Sequence, residues 1–529
     1  MDLHGGFHVY DTTLRDGAQQ EGLTLSVADK LTIARHLDDL GVGYIEGGWP
    51  GANPKDTEFF RRARDELDLR HARLAAFGST RRVGVAAADD PQVAALRDSG
   101  AGVVTLVAKA HDRHVELALR TTLDENLAMV RDTVSHLREE GQQVFLDAEH
   151  FFDGYRADRA YALEVLRTAH DAGASVVALC DTNGGMLPGW VADVVHDVVE
   201  TTGVRVGIHC HNDTGCAVAN TLAAVDAGAT HVQGTINGYG ERTGNADLVS
   251  VVANLELKLD RAVLPPGLLH DATRVAHAVA EVTNAAPAAR QPYVGTSAFT
   301  HKAGLHASAI KVDPNLYQHM DPAGVGNDMR LLVSDMAGRA SIQLKSRELG
   351  FDLTDSEEDR AVVTRITTRV KELESRGHTF EAADASFELL LIEEVEGVRP
   401  AYVDVESWRV ITETRPGDEA VSEATVKLRA EGVRYVVTAE GNGPVNALDQ
   451  ALREAIGQAF PEVAKFELID YKVRILDQGH GTDAVTRVLI ETTDGSASWV
   501  TVGVAANVIE ASWAALLDGM TYGLRRQAV

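Results

Sequence analysis

A repeating alternation of short apolar runs with helical segments predicts a (β/α)8 barrel at the start of this 529-residue chain, then a helical linker region and a C-terminal α+β domain. Three observations carry that expectation. Eight apolar runs fall between residues 7 and 265, each followed by a polar or glycine-containing turn and a longer segment at helical spacing. Their number, and the roughly 250 residues they occupy, suit one barrel. Residues with reactive side chains recur where the runs end, which is where a barrel gathers its working loops. A doubly wound open sheet is the runner-up, disfavoured because no GxGxxG turn follows the first run.

In chain order the expected strands are His8–Asp11, Gly43–Glu46, Leu74–Phe77, Val103–Ala108, Val144–Ala148, Ser175–Cys180, Val204–His209 and Val232–Ile236. Helical spacing is clear over Ala28–Leu40, Asp124–Glu140, Ala157–Ala172 and Leu187–Thr202. The barrel domain is therefore set at residues 1–265. At the edge of and within 266–384 prolines recur (Pro265, Pro266, Pro287, Pro292, Pro314, Pro322) among short helical patterns, and the acidic segment Asp355–Ser375 reads as a solvated helix. From 385 to 529 the texture is strand-rich: Phe387–Glu393, Ala424–Leu428, Tyr435–Ala439, Phe466–Ile475, Ala484–Thr492 and Trp499–Val504. Tyr435–Ala455 and Trp499–Gly519 share a strand, turn and Ala/Leu-rich helix, which predicts a duplicated strand–strand–helix unit. No reactive cluster occurs there, so binding or assembly is the expected role.

Charge and composition narrow the function. Lys and Arg number 50 against 78 Asp and Glu, a net −28, and a surface so acidic repels phosphate backbones, so nucleic acid is not an expected partner. An active site can still hold local positive charge. No apolar stretch approaches the ~18 residues of a membrane span, and Met1–Gly6 has no signal-peptide pattern. Three cysteines (Cys180, Cys210, Cys216) form no disulfide framework and have no zinc-ribbon spacing, so a reducing cytoplasm is expected.

The sharpest motif is Ile208-His209-Cys210-His211-Asn212-Asp213. Residues i and i+2 of a strand share a face, so two imidazoles converge at a strand end. A bare HxH is more often two buried, hydrogen-bonded histidines. Here it ends the seventh run, while Asp16 follows the first. Both runs neighbour the eighth in a closed barrel, so one carboxylate and two imidazoles can meet around a divalent metal with coordination positions to spare.

Arg15, beside Asp16, is either a structural ion pair or a planar fork for a substrate carboxylate or oxyanion. Glu46 ends the second run, Asp147 and Glu149 the fifth, and Asp181-Thr182 the sixth. Glu149-His150 is a candidate pair for acid–base work. The glycine-dense Asn237-Gly238-Tyr239-Gly240-Glu241-Arg242-Thr243-Gly244-Asn245 follows the eighth run and permits close backbone approach to a ligand. In the linker, Phe299-Thr300-His301-Lys302-Ala303-Gly304-Leu305-His306-Ala307, with Tyr317 downstream, either caps helices or contributes chemistry.

Together these residues resemble the 2-isopropylmalate, homocitrate and citramalate synthase family along nearly the whole chain. The family's first signature, Leu-Arg-(Asp/Glu)-Gly-x-Gln with a Lys after ten further residues, is met by Leu14–Gln19 and Lys30. The second, His-x-His-(Asp/Asn)-Asp-x-Gly, is met by His209–Gly215. The run Glu46-Gly47-Gly48-Trp49-Pro50-Gly51-Ala52-Asn53-Pro54-Lys55-Asp56 is similar to that of the citramalate branch and unlike the usual isopropylmalate run.

The resemblance implies an acyltransferase that condenses acetyl-CoA with a 2-oxo acid: pyruvate for the citramalate branch, 2-oxoisovalerate for the alternative. It implies a divalent metal (Mn, Mg or Zn) on Asp16, His209 and His211, with Asn245 as fourth ligand or close neighbour. Arg15 would bind and polarise the 2-oxo acid, with Glu149 and Thr182 lining the substrate site. His306 and Tyr317 would reach into the neighbouring subunit of a homodimer, and the base is one of Glu149, His306 and Tyr317. The C-terminal domain would bind an amino-acid effector, isoleucine for the citramalate branch and leucine for the other. A hydroxymethylglutaryl-CoA-lyase type of enzyme and a non-catalytic ligand sensor are rival expectations. The C-terminal module argues against the first, and the intact signatures against the second.

Overall fold

Capping chemistry and apolar spacing define the elements locally. In the helix Val27–Leu40, Ser26 accepts from the Asp29 amide while Asp29 accepts from the Ser26 amide, a reciprocal cap, and left-handed Gly41 ends it. Between those ends Leu31, Ile33, Ala34, Leu37 and Leu40 are buried, one apolar side against the sheet. The computed structural model describes residues 6–354, 356–414, 420–476 and 484–528, so Met1–Gly5 and Asp355 of the expectations above lie outside it.

Eight parallel strands close into a barrel: β1 (His8–Asp11), β2 (Tyr44–Gly48), β3 (Arg73–Ser79), β4 (Val103–Lys109), β5 (Gln143–Glu149), β6 (Val176–Asp181), β7 (Val206–Cys210) and β8 (His231–Gly234). Closure is the β1–β8 pairing, in register from His8↔His231 to Asp11↔Gly234. A core of Val, Leu, Ile and Phe side chains lies between strands and outer helices. Inside the barrel, Tyr10, Tyr44, Ala75, Val103, Phe145 and Val176 form a separate buried cluster that plugs it, with His8 and His231 in ring contact. The interior is therefore a packed layer, and only the end above it is open to chemistry.

The chain divides into two compact units. The first runs to Phe299 and takes in Met320–Asp328; the second comprises Thr300–His319 and Met329 onward. In the first, the helix Ala272–Thr283 packs on the barrel helix Val27–Leu40. The second begins with a two-residue parallel pairing of β9 (Thr300–His301) and β10 (Arg330–Leu331), then the helices Arg339–Glu348, Glu357–Ser375 and Asp384–Glu396.

Two antiparallel sheets follow, β11 (Val403–Glu413), β12 (Val421–Ala430) and β13 (Val433–Gly441), then β14 (Glu467–Ile475), β15 (Thr486–Thr493) and β16 (Ser498–Ala505). Each is followed by a helix, Pro444–Gly457 and Val508–Ala528. The unit thus holds two βββα modules, one strand longer per module than the spacing predicts. The first strand of each carries a register shift, at Val405/Ser407 and at Leu468/Asp470.

One expected strand is a helix. Phe387–Glu393 lies within Asp384–Glu396, where Phe387, Leu390 and Leu391 enter one apolar cluster and Ala385 enters another. Burial on more than one side erases the helical period, so the run of Leu and Ile imitates a buried strand. No helix among the described residues is long and apolar enough to cross a membrane.

Candidate metal centre and active site

The loop after β1 is tied down before it reaches the site. Buried Asp11 accepts from the Thr13 amide and the Thr13 hydroxyl, both at 2.9 Å, and the Thr13 hydroxyl accepts from the Ile236 amide after β8 at 2.9 Å. That clamp sets Arg15 and Asp16 at the barrel mouth. His209 is the last residue but one of β7, and His211 follows the strand on the same face. Asp16 Oδ2 lies 3.3 Å from His209 Nε2 and 3.9 Å from His211 Nε2, and all three side chains are buried. Among the described residues they are the group of at least three His, Cys, Asp or Glu whose ligand atoms converge closely enough for a metal ion.

Electrostatics suit a cation. Burial alone would raise the Asp16 pKa, but the Arg15 guanidinium and the His209 and His211 imidazoles hold it well below the usual carboxylate range. Burial, then the neighbouring His209, pushes His211 down to about 4, so a lone pair is available at neutral pH. Asn245 supplies an independent test of fit. Its backbone bridges to His211, its Nδ2 donates to the Tyr239 carbonyl at 3.0 Å, and its buried Oδ1 has no hydrogen-bond partner among the described residues. An unsatisfied buried carbonyl costs roughly 1–3 kcal/mol, and a bound cation removes that cost. The donor set of carboxylate, two imidazoles and an amide oxygen fits a borderline divalent ion.

The glycine-dense loop explains how Asn245 is held. A Cβ on Gly244, where φ is +88°, would lie 1.9 Å from the Gly238 carbonyl oxygen. One on Gly240, where φ is +149°, would lie 2.3 Å from Asn245 Nδ2. The loop is therefore folded on itself as closely as backbone allows. It is stitched to β7 by Ala246 N donating to the Cys210 carbonyl at 3.0 Å.

Arg15 donates from Nε to Glu46 Oε1 at 2.5 Å, its guanidinium lies 3.8 Å over the Phe77 ring, and Asp16 Oδ2 is 3.7 Å away. Tyr10 holds the other Glu46 oxygen at 2.7 Å. Trp49 packs edge-on against Phe77 (centroids 5.4 Å apart) and donates from Nε1 to Gln92 at 3.0 Å. The signature Lys30 is scaffold: buried, it pairs with Asp56 and donates to the Gly47 carbonyl, while Asp56 accepts from the Trp49 amide. Burial, and then the charge of Glu46, push Asp147 up to about 7.

A cavity of about 750 Å³ opens over these groups. Its lining includes Arg15, Asp16, Trp49, Phe77, Asp147, Glu149, Thr182, His209 and His211, with Arg81, Arg82, Lys109 and Arg242 as further cations in an otherwise acidic protein. Glu149 is ion-paired with Lys109, and the Thr182 hydroxyl accepts from the His150 amide at 2.9 Å. Every described lining residue belongs to the first unit. His306 and Tyr317 lie in the second, stacked on one another with centroids 4.1 Å apart.

Sequence reasoning passed over Arg81, Arg82 and Lys109, although each stands at or just past the end of β3 or β4. The strand-end rule used for Glu149 and Thr182 points to them equally. Phe77 reads as a core residue, and nothing in its local sequence marks it as the shelf under Arg15.

Residues 7–279 match the HMGL-like family model, 293–378 the homocitrate synthase post-HMGL domain-like model, and 381–524 the LeuA allosteric (dimerisation) domain. The chain is 68% identical over its full length to the (R)-citramalate synthase of Streptomyces coelicolor, covering 98% of that protein. It is 48% identical to the enzyme of the same name from Aquifex aeolicus (98% of each chain) and 47% to that from Synechocystis sp. (98% of this chain, 96% of the other). With a closed eight-stranded barrel, an antiparallel C-terminal unit and full-length identity of this order, the chain belongs to the (R)-citramalate synthase family.

Proposed function

We infer that this chain is an acyltransferase that joins the acetyl group of acetyl-CoA to pyruvate and hydrolyses the thioester, releasing (R)-citramalate and CoA. The observation that carries the reading is the buried Asp16–His209–His211 triad with Arg15 beside it, at the floor of a cation-lined cavity. A divalent ion (Mn, Mg or Zn) held by the triad, with Asn245 as fourth ligand, supplies Lewis acidity toward the keto group. Arg15, fixed by Glu46 and Phe77, faces the oxygen that gains charge when the new carbon–carbon bond forms. Glu149 and Thr182 line the substrate site, and a base removes the proton from the acetyl methyl. Glu149, His306 and Tyr317 are the candidates for that base. Thioester hydrolysis then drives the sequence forward.

Trp49, held by Gln92 and Phe77, lines the cavity wall, and this fixed indole is the group we take to select a small 2-oxo acid over a branched one. Release of free thiol from acetyl-CoA, measured with pyruvate, 2-oxobutyrate and 2-oxoisovalerate, tests this. Pyruvate should lead in kcat/KM by about tenfold or more, the discrimination a packed apolar wall provides per methylene or two. A preference for 2-oxoisovalerate overturns the choice of substrate, and no release with any acid overturns the enzyme reading.

The finer assembly follows the same reading. His306 and Tyr317 of one copy complete the barrel site of a second copy in a homodimer working in the reducing cytoplasm. Isoleucine is the effector. Its proposed seat is a cavity of about 630 Å³ in the C-terminal unit, bounded by Asn442, Pro444, Asp449, Arg453, Phe466 and Tyr471. Support comes from the match of 381–524 to an allosteric domain and from Asp449 and Arg453, which are ion-paired with each other at 2.8 Å yet keep Asp449 Oδ1 and Arg453 Nη2 without a hydrogen-bond partner among the described residues.

A further inference from the structure

Polar side chains inside the barrel form one continuous buried chain that ends at the triad. His8 Nδ1 lies 3.3 Å from His231 Nδ1, and His231 Nε2 lies 3.3 Å from Gln233 Nε2. Gln233 Nε2 also donates to Asp147 Oδ1 at 2.8 Å. The other end of the same amide, Oε1, lies 2.9 Å from His209 Nδ1. His209 Nε2 then faces Asp16 at 3.3 Å. His231 and Gln233 are fully buried, so no solvent intervenes to relax the pattern.

With Asp147 ionised, the donor count allows one orientation of the Gln233 amide. A side-chain amide has two N–H donors on nitrogen and only acceptor capacity on oxygen. Its nitrogen meets two acceptors, Asp147 Oδ1 and His231 Nε2, which uses both hydrogens. His231 must then carry its proton on Nδ1 and donate to His8. The amide oxygen facing His209 can only accept, so Nδ1 of His209 carries a proton and Nε2 is the ring nitrogen left to a metal ion, which takes over from the hydrogen bond to Asp16. Turned over, the amide would present N–H to His209 Nδ1, drive the proton onto Nε2 and leave an imidazole that cannot ligate there. It would also set its oxygen against the Asp147 oxygen, at the cost of a buried acceptor pair.

We propose that Gln233 is the positioning residue of the metal centre: wedged between Asp147 and His231, it fixes His209 as the Nδ1–H tautomer and so creates the Nε2 ligand. Partners of this kind change metal affinity by roughly 10–100-fold when removed. The inference rests on the metal reading of Asp16, His209 and His211, and its test separates the two.

Mn2+ is titrated calorimetrically into metal-stripped full-length protein, and the melting temperature of each metal-free form is recorded beside it. Gln233→Leu should bind Mn2+ 10–100-fold more weakly. Gln233→Glu, which shares a proton with Asp147 and still offers His209 an acceptor, should stay within about threefold of wild type. A packing role predicts the reverse pattern, a change in melting temperature with no split between Leu and Glu in metal affinity. Wild-type affinity in Gln233→Leu, or equal loss in both variants, overturns the proposal. Should Gln233→Leu fail to fold, 15N-histidine spectra of the metal-free wild type decide it, with His209 assigned from its absence in His209→Asn. A proton on Nδ1, whether or not Nε2 is also protonated against Asp16, is the expected result, and a proton on Nε2 alone overturns it. A wild-type protein that takes up no Mn2+ overturns the metal reading and this inference with it.

Discussion

Arg15 is held from three sides, by a carboxylate at Nε, by an aromatic face under the guanidinium and by the Asp16 carboxylate nearby. A lysine can keep the charge at that position but neither the fork nor the stacking. Arg15→Lys should therefore lower kcat by about 10²–10³ while KM for pyruvate changes little, because what is lost is contact to charge that develops during reaction. Thiol-release kinetics check this, and activity within a few-fold of wild type would remove Arg15 from its role. At this scale the sequence is legible wherever chemistry and position coincide. His209 and His211 announce themselves by type, by two-residue spacing and by standing at the end of β7, and Asp16 by type and by its place in the loop after β1. Gln233 does not, since its role depends on which atom of a symmetric-looking amide faces which neighbour. That is decided by Asp147 on another strand, far off in sequence.

Elements differ in how much of their conformation is written locally. The helix Val27–Leu40 carries its caps in its own sequence, and the spacing predicts it to within a residue. Asp384–Glu396 has no such period because its burial is set by two clusters formed elsewhere in the chain, so tertiary context replaces the pattern. Strand β11 escapes detection for the opposite reason: much of it is exposed, and its register shift breaks the alternation. The loop after β8 is an element in its own right, and its glycines are its structure. Gly244→Ala should unseat Asn245, because the added methyl meets a backbone oxygen that has no rotamer to yield. Mn2+ affinity should fall on the order of tenfold, with the barrel still folded by circular dichroism. Unchanged affinity would take Asn245 out of the ligand set.

At the scale of the whole molecule, two inactive variants test whether sites are shared. Arg15→Ala disables the barrel side, and His306→Ala disables the linker side. When subunits exchange between the two, one site in each hybrid dimer unites an intact barrel with an intact linker, and activity should return toward about a quarter to a half of the wild-type level. No recovery after exchange is demonstrated by mass would show that each chain completes its own site. Regulation is tested separately. Asp449→Ala should raise the isoleucine concentration for half-inhibition by about tenfold, the loss of one charge-assisted contact, while uninhibited kcat stays put. A variant as sensitive as wild type would move the effector elsewhere.

The two βββα modules have a consequence for where an effector can enter. They present the same junction twice, a third strand running into the start of a helix, yet the two junctions differ. In the second, Asn507 covers the helix start itself, its side chain accepting from the Ile509 amide at 2.8 Å. In the first, Gly443 and Pro444 put no side-chain cap there, and the cavity lies against that end. On the effector seat proposed above, the capped junction keeps its module closed while the uncapped one leaves its helix start facing the cavity. Changes in which amino acid a lineage senses should accumulate around Asn442–Asn446 and leave Ala506–Ile509 nearly still.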